Sequence, residues 1–370
     1  MRQWWILLGV ALGLMPACDA QETRQALRPE LAALEVLANA CWSFDRDLYG
    51  LEFCFDTQLD GQILRAVQTD WNDTMTFSGA DLILYWDAAE HRIAYRQYTS
   101  SGDVAEGWII VTADSLAFRG DGIRLSPDAG SASPYQFRFV SSDALDAAEL
   151  APGSGRGLQQ PLRFERRPPR LNKDRGACCD GAWQVAEWDS YRRLGVPSYM
   201  AAHLSHQLAP MEFMLRIGVA DDPGDGLHHV RGGEPMYGGH FLRQLEVVTG
   251  SGGDVREETI YYWDAEAGEA RFDAYSSVSG SRQGRVVFTE DGVRLAPLSD
   301  PSGHDGYPEM ELRPGDPESG QVLLVSVRPG QAAGPVDGSQ IRFERPDRAD
   351  IVLLLGPEWA PDAPAFSRPG

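Results

Sequence analysis

The sequence predicts an all-β protein that consists of two tandem antiparallel β-barrels, with a short helix before the first barrel. Three observations lead to this fold class: an internal repeat, short segments of alternating polarity, and many turn-forming residues. Glycine (39 residues) and proline (24 residues) are frequent among the 370 residues, which favours many turns between short strands. A chain of this length is long enough for two domains.

The internal repeat is the strongest of these signals. Four phrases occur twice in the same order along the chain. They are GQILR (61–65) and GHFLR (239–243), LYWDA (84–88) and YYWDA (261–265), DGIRLSP (121–127) and DGVRLAP (291–297), and LRFER (162–166) and IRFER (341–345). The first pair is offset by 178 residues and the second by 177. Such ordered recurrence indicates the tandem duplication of one domain.

The polarity pattern identifies the repeated unit as β-structure. Residues alternate in polarity within 81–86 and 92–98, as in half-buried antiparallel strands, and the equivalent segments of the second copy do the same. Ile83 and Tyr85 share a parity with Ile93 and Tyr95, so we expect all four side chains to face one interior. The link between the two segments has hairpin length in both copies.

The chain begins with the pattern of a secretory signal. Arg2 precedes an apolar run at 4–15, which is followed by PACDA (16–20), so residues 1–20 are predicted to be a signal peptide. Cleavage after the small residues at 18–20 would release a periplasmic or secreted protein. Alternatively, MPAC (15–18) resembles a lipobox, which would make Cys18 a lipid-bearing N-terminus and the only link to a membrane. Both interpretations stay open.

The rest of the chain divides into five predicted segments. They are a helix (21–40), the first barrel (41–167), a linker (168–180), the second barrel (181–347) and a C-terminal tail (348–370). The helix is interrupted by Pro29. Trp183 is taken as the equivalent of Trp42 on the first strand, which leaves an extra segment in the second copy. That segment is interpreted as an insertion at 196–238.

Charge and motif content exclude several classes of function. The 33 Lys and Arg against 54 Asp and Glu give a formal net charge of −21, which repels nucleic acids and anionic membranes. Lys173 is the single lysine, so a Walker-type phosphate loop and most Schiff-base chemistry are not expected. The sequence contains no GxSxG, HExxH or GxGxxG motif. It therefore favours a non-enzymatic role and identifies no cofactor.

Four cysteines stay available for disulfides in an exported chain: Cys41, Cys54, Cys178 and Cys179. Four cysteines allow three pairings, and the sequence does not choose among them. Cys41 with Cys54 would close a hairpin-sized loop, whereas a bond between the two adjacent cysteines would need a strained peptide.

Aromatic and arginine side chains on the repeated strands form the candidate ligand site. They are expected to line the interior of the barrels, with a guanidinium that attracts an anion. These residues are Arg65, Tyr85 and Tyr95 in the first copy and Arg243, Tyr262 and Phe272 in the second. The alternative interpretation is core packing with an internal ion pair.

Histidines in the insertion form a candidate metal site. His203, His206, His228 and His229 lie there together with several methionines and aspartates, and imidazole is a common transition-metal ligand. Against this, His228 and His229 would point to opposite faces of a strand. Neighbouring histidines also often only satisfy backbone groups.

The order of motifs resembles the lipocalin-like (calycin) β-barrel domains of bacterial proteins, in which a tryptophan precedes a GxxLR strand, a YWD hairpin and a DGxRL segment. The resemblance implies a closed barrel whose interior holds a small apolar ligand. It also implies that an arginine of the closing strand stacks on the first-strand tryptophan. The implied pairs are Trp42 with Arg163 or Arg166, and Trp183 with Arg342 or Arg345.

These observations together predict an exported binding or carrier protein for a small apolar or amphipathic ligand. The alternative function is that of a metal-assisted hydrolase or isomerase, which would use the histidines of the insertion. A nucleic-acid partner is not expected.

Overall fold

The computed structural model describes residues 26–46, 49–72, 76–125, 132–150, 161–167, 204–215, 218–222, 226–298, 309–316, 318, 321–328 and 340–344. Several predicted features lie outside these residues. They are the signal peptide, Cys18, the linker with Cys178 and Cys179, Trp183, His203 and the C-terminal tail. Among the described residues, no helix combines the length and apolar character needed to cross a bilayer.

The described residues form two closed antiparallel barrels of ten strands each, which confirms the predicted fold class. Barrel 1 contains β1 (Ala40–Arg46), β2 (Tyr49–Gln58), β3 (Ile63–Asn72), β4 (Thr76–Asp87), β5 (Arg92–Thr99), β6 (Val104–Val111), β7 (Ser115–Gly120), β8 (Tyr135–Ser141), β9 (Ala144–Glu149) and β10 (Leu162–Arg167). Strands that follow one another in sequence pair with each other, and β1 pairs with β10 to close the barrel.

Barrel 2 repeats this meander. It contains β11 (Gly218–Asp222), β12 (Leu227–Met236), β13 (Phe241–Gly250), β14 (Gly253–Asp264), β15 (Glu269–Ser276), β16 (Gly280–Phe288), β17 (Val293–Pro297), β18 (Glu309–Pro314), β19 (Gln321–Arg328) and β20 (Gln340–Glu344). The register of Val219 opposite Glu344 joins β11 to β20 and closes the barrel.

The structure corrects the interpretation of residues 196–238 as an insertion. β2 begins at Tyr49 and β12 at Leu227, so these strands are offset by the same 178 residues as the GxxLR phrases. The residues after 217 are therefore the first two strands of barrel 2. At the same offset, the equivalent of Trp42 is Ala220 rather than Trp183. The first-strand tryptophan therefore occurs in one copy only.

The turn between β2 and β3 confirms the longer repeat. Leu59 and Asp60 have positive φ angles of 50° and 55°, and Tyr237 and Gly238 have 51° and 66° at the equivalent positions of barrel 2. The carbonyl after each turn accepts a backbone N–H from the segment that precedes its barrel, and these bonds join Arg28 to Gly61 and Ser205 to Gly239.

Each barrel is preceded by a short 3₁₀ helix, at Pro29–Leu34 for barrel 1 and at Ala209–Leu215 for barrel 2. The predicted N-terminal helix is thus present but begins at Pro29 instead of being interrupted there. Proline lacks an N–H and fixes φ, and both properties are tolerated in the first turn of a helix. Leu31 and Leu34 are fully buried and belong to the core of barrel 1.

The predicted hairpins are confirmed in both copies. β4 ends at Asp87 and β5 begins at Arg92. The Oδ1 of Asp87 accepts the N–H groups of Ala89 and Glu90, and Asp264 makes the two equivalent bonds in barrel 2. An aspartate that hydrogen-bonds the backbone two residues ahead stabilises such turns, which explains why the YWD phrase ends in aspartate.

The described residues form three apolar cores, whereas two separate barrels would need only two. One fills barrel 1, a second lies inside barrel 2, and the third lies between the barrels. The third core consists of Ile63, Ile83, Tyr85, Ala94 and Tyr98 from barrel 1 and Phe241, Ile260, Tyr262 and Tyr275 from barrel 2. It joins β3, β4 and β5 to β13, β14 and β15.

Barrel 1 contains one stacking contact and one disulfide that were candidates from the sequence. The guanidinium carbon of Arg166 lies 5.9 Å from the ring centre of the buried Trp42, as the family resemblance implied for the closing strand. Cys41 and Cys54 form a disulfide between directly opposed residues of β1 and β2, which selects one of the pairings that the sequence left open.

Candidate functional site

The six residues of the predicted ligand site do not share one interior. The β4–β5 register places Tyr85 opposite Ala94 and Leu84 opposite Tyr95. Because directly paired residues point to the same face of a sheet, Tyr85 and Tyr95 face opposite sides. The prediction that Tyr85 and Tyr95 face a common interior is therefore wrong. In this hairpin each odd-numbered residue of β4 pairs with an even-numbered residue of β5, so residues of the same parity face opposite sides.

Two of the six residues face a barrel interior. Tyr95 is fully buried in the core of barrel 1, and Phe272 occupies the equivalent position in barrel 2. The other four face the space between the barrels, so their predicted interior placement is corrected. They are Arg65, Tyr85, Arg243 and Tyr262.

The two arginines of the predicted ligand site are neutralised by carboxylates between the barrels. Arg65 pairs with Asp81 of its own barrel and places Nη1 2.9 Å from Oε1 of Glu258 in the other barrel. Arg243 pairs with Glu258 and Glu234, each at 3.0 Å. Burial alone would raise the pKa of Glu258, but the two guanidinium groups hold it below its ordinary value. The alternative interpretation, an internal ion pair, thus describes these arginines.

The histidines proposed as metal ligands are not brought together. His228 is on the outside of β12, 2.8 Å from the Oδ1 of Asp221, whereas His229 points inward against the ring of Phe343. His206 is exposed. The backbone N–H of its neighbour Ser205 donates to the carbonyl of Gly239, which lies after the C-terminal end of β12, whereas His228 and His229 lie near the start of that strand. In the part of the chain that the structure describes, these three histidines therefore do not converge on one ion.

A different set of polar residues converges inside barrel 2. The register places Arg231 opposite Glu246, Glu246 opposite Glu257, and Ala274 opposite Arg282. These positions share the face of the core residues, so their side chains point into the barrel. We call this set the interior polar cluster, and its members are His229, Arg231, Gln244, Glu246, Glu257, Thr259, Tyr261 and Arg282.

Contacts within the interior polar cluster link its charges in two groups. Glu246 lies 3.2 Å from the Nδ1 of His229 and 3.6 Å from the Nε of Arg231. Glu257 pairs with Arg282 and lies 3.5 Å from the hydroxyl of Thr259. Charged groups inside a barrel are costly unless they are paired, and these contacts offset part of that cost.

Barrel 1 shows that the fold does not need this cluster. At the positions equivalent to Arg231, Glu246, Glu257, Thr259 and Arg282, barrel 1 has Phe53, Gln68, Ala80, Leu82 and Ala105. All five are buried, and the Phe53 ring packs against Phe55, Phe137 and Phe164. The same meander is therefore stable with apolar side chains at four of these five positions, although the buried Gln68, Asp70 and Gln97 are polar.

Among the described residues, two buried donors of the cluster have no hydrogen-bond partner, although one of them, the Nε of Arg231, lies 3.6 Å from a carboxylate oxygen of Glu246. The hydroxyl of Tyr261 donates to the Oε1 of Gln244 at 2.9 Å, while the Nε2 of Gln244 has no partner. The Nε of Arg231 is also without a hydrogen-bond partner. Arg231 and Gln244 are 3 % and 2 % exposed. Buried polar groups normally find a partner, so these two donors indicate where an acceptor from a ligand would be bound.

The two carboxylates of the cluster differ in their electrostatic environment. Burial would raise the pKa of Glu246, but Arg231 and His229 hold it below its ordinary value. Burial raises the pKa of Glu257, and the neighbouring Glu246 adds to the rise, although Arg282 opposes it. Glu257 is thus the carboxylate whose charge is least well compensated.

Barrel 1 has a small pocket at the equivalent end of its interior. Gln68, Ala80 and Thr99 line it together with Arg124. The first three correspond to Glu246, Glu257 and Ser276 of barrel 2. The interior polar cluster therefore occupies the end of the meander at which barrel 1 also leaves space.

The sequence contains a signal for this cluster. Extending the 178-residue offset of the GxxLR phrases upstream would have aligned Phe53 with Arg231 and shown a charge at a core position. The alignment of Trp183 with Trp42 hid this difference. The chain matches no protein-family model and no curated protein sequence, so the comparison of its own two copies carries the functional argument.

Proposed function

We propose that the chain is an exported binding protein with lipocalin-like barrels, and that barrel 2 binds a small amphipathic ligand. The apolar part of the ligand contacts the core residues of barrel 2. Its polar group reaches the interior polar cluster and accepts hydrogen bonds from Arg231 and Gln244. Barrel 1 serves as the structural partner.

One observation carries this proposal. Two copies of one fold differ at equivalent interior positions, where Phe53, Ala80 and Ala105 of barrel 1 are replaced by charged residues in barrel 2. Burying charges in place of well-packed apolar side chains gives no stability, because desolvation outweighs or cancels the attraction. A polar interior that does not serve the fold is best explained by a ligand.

The unpartnered donors set the expected chemistry of the polar group. The Nε of Arg231 and the Nε2 of Gln244 are both N–H donors. A group with acceptor oxygens, such as a carboxylate or a hydroxyl, would satisfy them. An ammonium group has no acceptor and would leave both donors buried and unsatisfied.

Calorimetric titration with three probes of equal chain length tests the proposal: decanoate, 1-decanol and decylammonium. We expect decanoate or decanol to bind one site per chain and to raise the unfolding midpoint with concentration. Decylammonium should bind at least about 10-fold more weakly, which corresponds to 1.4 kcal/mol. Failure of all three probes to bind or to shift the midpoint would contradict the proposal.

Substitutions that copy barrel 1 into barrel 2 locate the site. Arg231→Phe and Arg282→Ala introduce the residues found at the equivalent positions and should weaken probe binding by about 10-fold or more. Each variant also leaves a carboxylate of the interior without its cation and should lower stability, so its circular dichroism is compared with that of the natural protein before binding is measured. Arg285→Ala is the matched control, because Arg285 is exposed on the outer face of the same strand as Arg282. Equal effects of Arg282→Ala and Arg285→Ala would place the binding elsewhere.

A further inference from the structure

A group of potential metal ligands lies on the outer face of barrel 1, away from the proposed ligand site. Trp42 and Phe53 point into the barrel, so the alternate residues Cys41, Ser43, Glu52 and Cys54 point outward. Cys41 pairs with Cys54 and Ser43 pairs with Glu52 in the strand register. The two Sγ atoms and a carboxylate oxygen of Glu52 lie within 4.8 Å of one another.

The glutamate is held toward the sulfurs. Its Oε2 accepts a hydrogen bond of 2.6 Å from the hydroxyl of Ser43, and its Oε1 lies 3.3 Å from the Sγ of Cys54. Glu52 is 5 % exposed. A buried carboxylate is costly, and the hydrogen bond from Ser43 orients it while leaving Oε1 on the sulfur side.

Barrel 2 again serves as the internal comparison. The positions equivalent to Cys41, Glu52 and Cys54 are Val219, Val230 and Gly232. Val230 is fully buried, so the fold accepts an apolar side chain where barrel 1 has a buried glutamate. The group is therefore not a requirement of the strand pairing.

We propose that reduction of the Cys41–Cys54 disulfide creates a binding site for one Zn²⁺ ion, with Cys41, Cys54 and Glu52 as ligands. Two thiolates and a carboxylate are a donor set that zinc accepts. The 3.3 Å between the Sγ of Cys54 and the Oε1 of Glu52 suits two ligands of one tetrahedral ion, and the two bonded sulfurs can separate to the wider spacing of zinc ligands once the disulfide is broken. Ser43 is a positioning residue that acts through Glu52.

The redox step balances with a dithiol reductant. The reductant supplies two electrons and two protons, so that the Sγ–Sγ bond of the protein breaks and a disulfide forms in the reductant. Cys54 is only half-buried, which leaves its sulfur open to attack. Zn²⁺ then displaces the two thiol protons, which pass to the solvent.

Metal titration of the full chain tests the site in a background with Cys18→Ser, Cys178→Ser and Cys179→Ser. The protein is reduced with dithiothreitol, which is removed anaerobically, and Co²⁺ is added as a spectroscopic probe before competition with Zn²⁺. We expect one Co²⁺ per chain with thiolate-to-metal charge-transfer absorption, displaced by one Zn²⁺, in the reduced protein only. The same binding by the oxidised protein, or no binding by the reduced protein, overturns the proposal.

Two variants separate Glu52 from its surroundings. Glu52→Gln should weaken Co²⁺ binding by at least about 10-fold, whereas Glu165→Gln should not change it, because Glu165 is exposed on the adjacent strand opposite Ser43. Equal affinities of the two variants would remove Glu52 from the site and overturn the proposal.

The proposal can also be tested if the barrel unfolds when its disulfide is reduced. A disulfide stabilises a domain by constraining its unfolded chain, so reduction could unfold the domain. In that case one equivalent of Zn²⁺ should restore the far-ultraviolet circular dichroism of the oxidised protein. No recovery with Zn²⁺ would count against the site.

Discussion

Arg96 and Asp273 occupy equivalent positions in the two copies, 177 residues apart, and form an ion pair with each other across the barrel interface at 3.4 Å. Tyr98 and Tyr275 are also equivalent, and their hydroxyl groups lie 3.0 Å apart. Contacts between equivalent residues are the signature of an isologous interface. The two barrels thus meet as the subunits of a symmetric dimer do, although one chain contains both.

Removing one partner of this central ion pair should be strongly destabilising. Arg96 is buried, and Asp273 is almost completely buried. Arg96→Leu leaves that carboxylate without its cation, and we expect a loss of about 3 to 5 kcal/mol in the free energy of unfolding, measured with urea.

The double variant Arg96→Leu/Asp273→Leu checks the mechanism, because it removes both charges. It should be more stable than Arg96→Leu alone. If the double variant loses as much as the sum of the two single losses, the pair does not interact and the interpretation fails.

Glu257 and Glu258 should respond to pH in opposite ways, although they are neighbours on β14. The pKa of Glu257 is raised, so its contribution to stability is present below its ordinary pKa and is lost as pH rises through the folded-state pKa. The pKa of Glu258 is lowered, so its contribution is present above its ordinary pKa and is lost as pH falls through the folded-state pKa.

Replacing each glutamate by the neutral glutamine makes the opposite pH dependence of Glu257 and Glu258 measurable. At about pH 7, Glu257→Gln should raise the unfolding midpoint, while Glu258→Gln should lower stability by about 3 to 5 kcal/mol because it breaks a buried ion-pair network. The effect of Glu257→Gln should shrink as the pH is lowered toward 4.5, the ordinary pKa of both groups, because the folded-state pKa of Glu257 lies above that value. The effect of Glu258→Gln should persist down to pH 4.5 and shrink only below it, because the folded-state pKa of Glu258 lies lower. The same sign of change for both variants would contradict the assignment.

Two tyrosine-to-phenylalanine substitutions on β5 should differ in cost. The hydroxyl of Tyr98 donates to the Oδ2 of the buried Asp273 at 2.8 Å, whereas that of Tyr95 donates to the backbone carbonyl of Arg119 at 2.8 Å. A hydrogen bond to a charged group contributes about 1.5 to 3 kcal/mol and a neutral one about 0.5 to 1.5 kcal/mol.

Tyr95→Phe also introduces the residue type that barrel 2 has at the equivalent position, which is Phe272. We therefore expect Tyr98→Phe to cost more stability than Tyr95→Phe in urea unfolding. A larger cost for Tyr95→Phe would show that the contact with Asp273 is weak.

Gly107 and Gly284 are equivalent glycines at which an aromatic ring covers the strand. A Cβ at Gly284 would contact the Phe272 ring and the carbonyl of Ala296, and a Cβ at Gly107 would contact the Tyr95 hydroxyl and the carbonyl of Arg119. We expect alanine at either position to cost about 1 to 3 kcal/mol through overpacking. Gly252→Ala is the control, since no atom lies within 4 Å of its Cβ position. A thermal midpoint of Gly284→Ala equal to that of the control would argue against the close packing.

Much of the fold follows from local pattern and from the repeat. Strand alternation and the YWD hairpins predict antiparallel β-structure because these signals depend on residues close in sequence. The recurrence of four phrases predicts two copies of it, because a repeat is visible without any knowledge of contacts. The hairpin Asp87 and its copy Asp264 are examples, since an aspartate stabilises its own turn through bonds to the next few residues. The disulfide pairing, in contrast, required the register of β1 against β2.

The sequence by itself determined the fold class, the duplication and the residue types available for a site. The tertiary structure decided which face each side chain occupies and that the two barrels share a core. Parity within a strand does not carry across a hairpin whose register is unknown, so Tyr85 was assigned to an interior that Tyr95 alone occupies. Likewise, only strand pairing could bring Arg231, Glu246, Glu257 and Arg282 together, because each comes from a different strand and the register places all four on one face.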